Sequence, residues 1–94
     1  MTDTPRAETF MAHIGKAASL ADGHRLTLVS VDKRDASGGA PRAPFSLILR
    51  GAPAPIAPEG MHRLTFEGGA SFDLYLIPIH TPSRGHQDYQ IVFN

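Results

Sequence analysis

Two histidines and a carboxylate near residue 85 form the group of side chains that most resembles a reactive site. His80, His86 and Asp88 lie close together in the sequence, and two imidazoles with a carboxylate could bind a divalent metal ion. Their spacing matches no established metal motif, and the five histidines are spread along the chain. We therefore expect scattered surface histidines, with no metal ligand among His13, His24, His62, His80 and His86.

A serine nucleophile would need a histidine base and an orienting acid beside it. Ser71, His80 and Asp88 have the required types, but no strand–turn–helix elbow surrounds any serine. We predict no catalytic residue and expect that the protein is not an enzyme. A hydrolase that uses His80 or His86 is the third hypothesis, and it requires residues far apart in the sequence to converge.

Charged residues elsewhere have simpler explanations. Arg34 and Arg42 flank a Gly-Gly pair in a polar segment, but the segment matches no phosphate-loop pattern, and we predict an exposed loop. Asp73 stands alone on a predicted strand. We expect it to contact Arg63 or Thr65 on the neighbouring strand, where opposite charges stabilise a sheet.

Length and composition limit the class of protein. The 94 residues form one β domain, residues 1–94, and nine basic side chains balance nine acidic ones. A neutral chain has no electrostatic basis for binding nucleic acid or an anionic membrane, so we predict neither partner. The sequence has no cysteine, no apolar signal region and no run long enough to span a bilayer. We predict a cytoplasmic protein without cofactors.

The elements that must position these side chains are mostly strands. The apolar stretch from Ser71 to His80 reads as the central one, with Phe72, Leu74 and Leu76 on one face at a period of two. Pro78 cannot donate to a ladder, so it should lie at an edge, a bulge or the strand end.

Gly68-Gly69 predicts a two-residue hairpin turn of the primed type before this strand. Leucines and valines around Leu28 change face, which predicts a bulge or bend there. The predicted strands, including the central one, are Lys16 to Leu20, His24 to Lys33, Pro44 to Gly51, Met61 to Glu67, Ala70 to Ile79 and Tyr89 to Asn94.

One short helix is predicted from Thr4 to Gly15, with Thr4 as N-cap and Pro5 at the first helical position. Its apolar stripe comprises Ala7, Phe10, Met11 and Ile14. The stripe should close one end of the β core, and the alternative is that it faces a partner.

Five or six antiparallel strands with one helix indicate a mainly β fold, either a small barrel or a sandwich. We expect sheet edges at Lys16 to Leu20 and Tyr89 to Asn94. The proline-rich segment Ala52 to Glu59 should be a stiff connection that crosses from one sheet to another, and it is the loop that we expect to face a partner.

Four sequence marks resemble a family of small bacterial proteins known only as a domain of unknown function. The first is a helix that ends in Phe10, Ile14 and Gly15, and the second is a strand from Leu26 to Val29. The third is the run Pro44 to Leu47 followed by Arg50 and Gly51. The fourth combines Ile77, Pro78 and Ile79 with the final residues Tyr89 to Asn94. The resemblance implies a compact β domain without known activity or recognised catalytic residues. It also implies an association with phage-tail-like proteins.

These observations lead us to expect a non-enzymatic structural or protein-interaction module that binds itself or another protein. An accessory role in a phage-tail-like assembly is its narrower form. The alternative is a small-ligand-binding β-barrel with Arg50, Tyr75 and His80 as polar contacts, because small barrels hold ligands in their mouths.

Overall fold

The computed structural model describes residues 6–33, 44–81 and 85–93. They form a mainly β fold of one short helix and six strands. In chain order these are α1 (Ala7–Met11), β1 (Ala17–Leu20), β2 (Arg25–Lys33), β3 (Phe45–Gly51), β4 (Gly60–Phe66), β5 (Ser71–Pro78) and β6 (Gln87–Phe93). The predicted loop from Arg34 to Ala43 lies outside the described residues, as do positions 82–84 of the last loop.

The strands close into an antiparallel barrel in the order β1-β2-β3-β6-β5-β4, which decides between the barrel and the sandwich. The expected edges are therefore wrong. β1 pairs with β2 on one side and β4 on the other, while β6 pairs with both β3 and β5. Closure satisfies the strand edges that an open sheet would leave exposed.

The hairpin of β4 and β5 is confirmed, with Thr65 opposite Ser71 and Leu64 opposite Phe72. Its turn is not of the primed type. The N–H of Gly69 donates to the carbonyl of Phe66 at 3.0 Å, and positive φ occurs at Gly68 and Gly69 but at no described residue other than glycine. A primed turn needs positive φ at its first central residue, which here is Glu67.

The predicted bulge in β2 is present. The register with β3 shifts between Leu28 and Ser30, which makes Val29 the extra residue. Past the bulge, Val31 packs against the core. The second apolar set of β2 is Val29 and Val31. The bulge turns Val31 toward the interior, although Val29 itself is exposed.

The helix is shorter than the sequence predicts. Arg6 is its extended N-cap, while Thr4 and Pro5 lie outside the described residues. After Met11 the chain continues in turns to Gly15, whose φ is +87°. A single helical turn buries Ala7 and Phe10 but leaves Met11 and Ile14 exposed. No helix among the described segments has the length and apolarity to cross a membrane.

Phe10 closes the end of the barrel at which α1 lies, which we call the helix end. Its ring lies 4.9 Å from that of Phe72 and 5.4 Å from that of Phe93, centroid to centroid. It also contacts Phe45 and Phe66, so all five phenylalanines of the chain form one cluster. The prediction that the apolar stripe closes one end of the core is confirmed for its buried half.

The opposite end of the barrel is built by three connections, because antiparallel strands place alternate connections at the same end. They are the turn 21–24 between β1 and β2, the proline-rich segment 52–59 between β3 and β4, and the connection from β5 to β6. We call segment 52–59 the strap and this end the strap end. The strap joins two strands of one closed sheet, so the expected crossing between two sheets is wrong. Pro78 is the last residue of β5, as its missing donor predicts.

Candidate functional site

The strap is held across its end of the barrel by contacts to three strands and a turn. The buried N–H of Ala57 donates to the hydroxyl of Tyr89 on β6 at 2.9 Å. The hydroxyl of Tyr75 on β5 donates to the Glu59 carboxylate at 2.8 Å. Ala57 is fully buried and anchors the strap in the core, whereas Ile56 beside it is exposed.

Two histidines contact proline carbonyls of the strap. Nε2 of His24 lies 3.0 Å from the carbonyl oxygen of Pro55, and Nε2 of His62 lies 2.7 Å from that of Pro58. A proline carbonyl can only accept a hydrogen bond, so in both contacts the imidazole nitrogen must carry the proton. Each of these hydrogen bonds therefore requires a proton on Nε2 of its histidine.

A cleft of about 440 Å³ opens between the strap and the turn 21–24. Apolar side chains form most of its lining, and an ionisable pair stands at its rim. Its volume is within the range of small-molecule sites. The lining residues are Asp22, Gly23, His24, Arg25, Leu26, Ala52, Ala54, Pro55 and Tyr89.

Asp22 and His24 form the ionisable pair of this rim. Nδ1 of His24 lies 2.8 Å from Oδ1 of Asp22, which also accepts the backbone N–H of His24 at 3.0 Å. The hydrogen bond from Asp22 raises the pKa of His24. The backbone and ring N–H groups of His24 lower the pKa of Asp22, with a further contribution from the charge of His62. At neutral pH the carboxylate of Asp22 is thus ionised.

A second charged group lies between β3 and β6 at the same end. Arg50 donates to both carboxylate oxygens of Asp88, at 2.9 and 3.3 Å, and these residues are register partners. Nε2 of His86 is 3.6 Å from the same carboxylate. The guanidinium of Arg50 is the main reason that the pKa of Asp88 is lowered. Arg50 is therefore engaged as a structural ion pair.

The ligand contacts predicted from the sequence do not converge. Arg50 binds Asp88, Tyr75 binds Glu59, and neither they nor His80 line the cleft. The described residues contain no group of three or more histidines and carboxylates placed to hold a metal ion.

Ser71 cannot act with His80 and Asp88, because it begins β5 at the helix end of the barrel. The eight residues of this strand span about 23 Å at about 3.3 Å per residue. Asp88 lies at the other end, where its carbonyl accepts the N–H of Ile79. Ser71 instead shares a hydrogen bond with Thr65 at 2.8 Å, and Asp73 pairs with Arg63 as predicted.

The rim residues of the cleft were missed in the sequence. Their only signal is the Asp-Gly-His turn between two strands, which resembles an ordinary loop. Tyr89 lies in the core, and its hydroxyl reaches the strap. The partner of His24 is a backbone carbonyl, and a sequence pattern does not identify such a partner.

Apolar side chains also cover part of the outer barrel wall. Met61 and Tyr75 are register partners on β4 and β5 and are 64% and 48% exposed, and Val92 on β6 is 48% exposed. Half-buried Ile77 lies two residues after Tyr75 on the same face of β5, and its partner Gln90 lies two residues before Val92 on β6. We call Met61, Tyr75, Ile77 and Val92 the outer patch.

The family model described as "Domain of unknown function (DUF6916)" matches residues 5–93, so the chain belongs to this family. The resemblance to a family of unknown function is confirmed. No curated protein and no solved structure matches the chain.

Proposed function

We propose that this DUF6916 protein is a non-enzymatic protein-interaction module, and that its outer patch binds a second copy of the chain. The observation that carries the proposal is the exposure of the register partners Met61 and Tyr75 on one barrel wall, together with that of Val92 on β6. Contiguous exposed apolar side chains cost free energy in water and are typical of interfaces.

The rest of the same wall supports this assignment by contrast. Along the β4–β5 ladder, the pair next to Met61 and Tyr75 is the ion pair of Arg63 and Asp73. An ordinary solvent-facing wall would continue this polar character. The change to apolar residues is local to the outer patch, as expected when one part of the wall is covered in the assembled state.

The charges beside the patch favour a second copy as the partner. Arg63 and Asp73 place one cation and one anion at its border. Because they pair with each other, this border carries no net charge that would repel the same surface of a second copy in a two-fold pairing. The formal net charge of zero adds no overall repulsion between copies.

The narrower parts of the proposal rest on the sequence. An accessory role in a phage-tail-like assembly follows from the family resemblance, and the cytoplasmic location follows from composition. We also propose that the protein binds neither nucleic acid nor a membrane, because its positive and negative charges are balanced.

Light scattering coupled to size-exclusion chromatography tests the proposed interface. Wild-type protein should be a dimer at micromolar concentration, and Met61→Lys or Val92→Lys should give monomers. Each lysine would place an unpaired charge in the interface. The matched control is Ile14→Lys, because Ile14 is 46% exposed but lies beyond α1, at the helix end.

The control variant should remain dimeric with the thermal midpoint of wild type, and the monomeric variants should stay folded with a lower midpoint, because they lose the stabilisation that association adds. A wild-type protein that is monomeric over the whole concentration range would overturn the second copy as partner. If a pull-down then captured a stoichiometric protein that Val92→Lys fails to capture, the interaction function would stand with a different partner.

The cleft supports a second candidate function, a small-ligand-binding barrel. Its volume of about 440 Å³ and its mixed lining fit a small molecule. Ala52→Phe should fill the cleft from an exposed position. A metabolite that raises the thermal midpoint of wild type but not of Ala52→Phe would support this function, and a broad panel without any such compound would count against it.

A further inference from the structure

His24 contacts a hydrogen-bond acceptor through each ring nitrogen. Nδ1 lies 2.8 Å from Oδ1 of Asp22, and Nε2 lies 3.0 Å from the carbonyl oxygen of Pro55. A neutral imidazole has one N–H, whereas the imidazolium has two. Since an ionised carboxylate and a carbonyl both lack a proton, only the imidazolium can make both hydrogen bonds.

We propose that His24 is a pH-dependent latch: as imidazolium it holds residues 52–56 of the strap against the turn 21–24, and on deprotonation it releases them and widens the cleft. The proposal is independent of the interface on the outer patch, which lies on the barrel wall.

The bond to Pro55 is the one that deprotonation removes. Asp22 accepts both the ring and the backbone N–H of His24 through the same oxygen, so the neutral ring keeps its remaining proton on Nδ1. A hydrogen bond to a carboxylate is also stronger than one to a neutral carbonyl. The lone pair on Nε2 then faces the lone pairs of the Pro55 carbonyl, and the two repel each other.

The released segment has little else to hold it. Every residue from 52 to 56 is exposed, so the segment's own side chains lose few buried contacts when it moves. The strap beyond it stays anchored, because the N–H of buried Ala57 donates to Tyr89. The bond from His62 to Pro58 also remains, since a neutral imidazole with its proton on Nε2 can make it. Ala57 is therefore the hinge of the movement.

The charged groups around His24 set the pH range. Asp22 raises its pKa, mainly through their hydrogen bond, and the bond to Pro55 raises it further, while burial acts in the opposite direction. Arg25 beside it is a nearby cation, and His62 acts on Asp22 through its charge when it is protonated. The strap contributes no titratable side chain to the cleft, and the Tyr89 hydroxyl is bonded to Ala57.

The sign of the effect follows from the raised pKa of His24. Both bonds are fully present below its ordinary pKa of 6.5, and the latch is lost as the pH rises through the higher pKa of the folded state. The strap should therefore be closed in mildly acidic solution and open in alkaline solution.

Nuclear magnetic resonance between about pH 5 and about pH 9 tests the latch, because a histidine titrates within this range. The ring nitrogen shifts of His24 report its protonation, and the amide signals of Ala52, Ala54 and Ile56 report the strap. We expect these amides to shift with the midpoint of His24, and to exchange with solvent faster above it than base catalysis alone explains.

His24→Gln should abolish this titration of the strap amides, while His62→Gln, the matched control, should preserve it. Asp22→Asn keeps the His24 ring but removes its ionised acceptor, so the titration midpoint of His24 should move to lower pH. This variant provides a second test if His24→Gln does not fold. A neutral His24 ring in mildly acidic solution, or a strap titration that survives His24→Gln, would overturn the proposal.

Discussion

The hydroxyl of Tyr89 accepts the backbone N–H of Ala57 at a distance of 2.9 Å, inside the protein. Tyr89 is 1% exposed and Ala57 is 0% exposed. This one bond joins the middle of the strap to the last strand of the barrel. It provides an acceptor for a buried backbone N–H that lies between β3 and β4, outside the strand ladders.

Tyr89→Phe should destabilise the barrel by about 1–3 kcal/mol, the cost of leaving a buried donor unsatisfied. Urea unfolding monitored by circular dichroism measures the change. The control is Tyr75→Phe, which removes a hydroxyl bonded to Glu59 at the surface, where water replaces the lost partner. Equal losses for both variants would show that the buried bond does not anchor the strap.

Phe10→Ala should lower the free energy of unfolding by about 3–5 kcal/mol, because it removes the central ring of the phenylalanine cluster and leaves a cavity. Met11→Ala, on the exposed side of the same helix, should change it by less than about 0.5 kcal/mol. If the first variant is as stable as the second, α1 does not close the barrel.

Gly51→Ala should destabilise the barrel by about 1–3 kcal/mol through overpacking. A Cβ at this position would lie 2.5 Å from Cδ2 of Leu26 and 3.2 Å from the backbone oxygen of Arg25. Leu26→Val makes room, so the double variant should be more stable than the sum of the single effects by about 0.5–3 kcal/mol. Strictly additive unfolding energies would contradict this contact.

Asp88→Asn should lower the free energy of unfolding at neutral pH, and this difference from wild type should vanish in acid. Arg50 holds the pKa of Asp88 below its ordinary value of 3.8. A carboxyl with a lowered folded-state pKa contributes stability above its unfolded pKa, which is lost as the pH falls through the folded value.

Urea unfolding at a series of pH values from about 7 down to about 3 measures this loss. The control is Asp73→Asn, whose partner is Arg63. Both side chains of that pair are more than half exposed, so solvent screening should make its effect smaller. A difference for Asp88→Asn that does not depend on pH would mean that its charge is not what stabilises the barrel.

The strands and their inward faces were determined by the sequence alone. Phe45, Leu47 and Leu49 alternate with outward residues in β3 and are all buried. A period of two is a local property of the strand, so it is visible without the fold. The β4–β5 hairpin was equally visible, because a glycine pair between two apolar strands brings neighbouring segments together.

The closure of the barrel and the strap end were decided only by the tertiary structure. β1 meets β4 with Leu20 opposite Leu64, and a local pattern does not specify which distant strands pair. The contact of His24 with Pro55 spans 31 positions and ends on a backbone carbonyl. Since nearly every residue offers the same carbonyl, only the three-dimensional path of the strap could select this one.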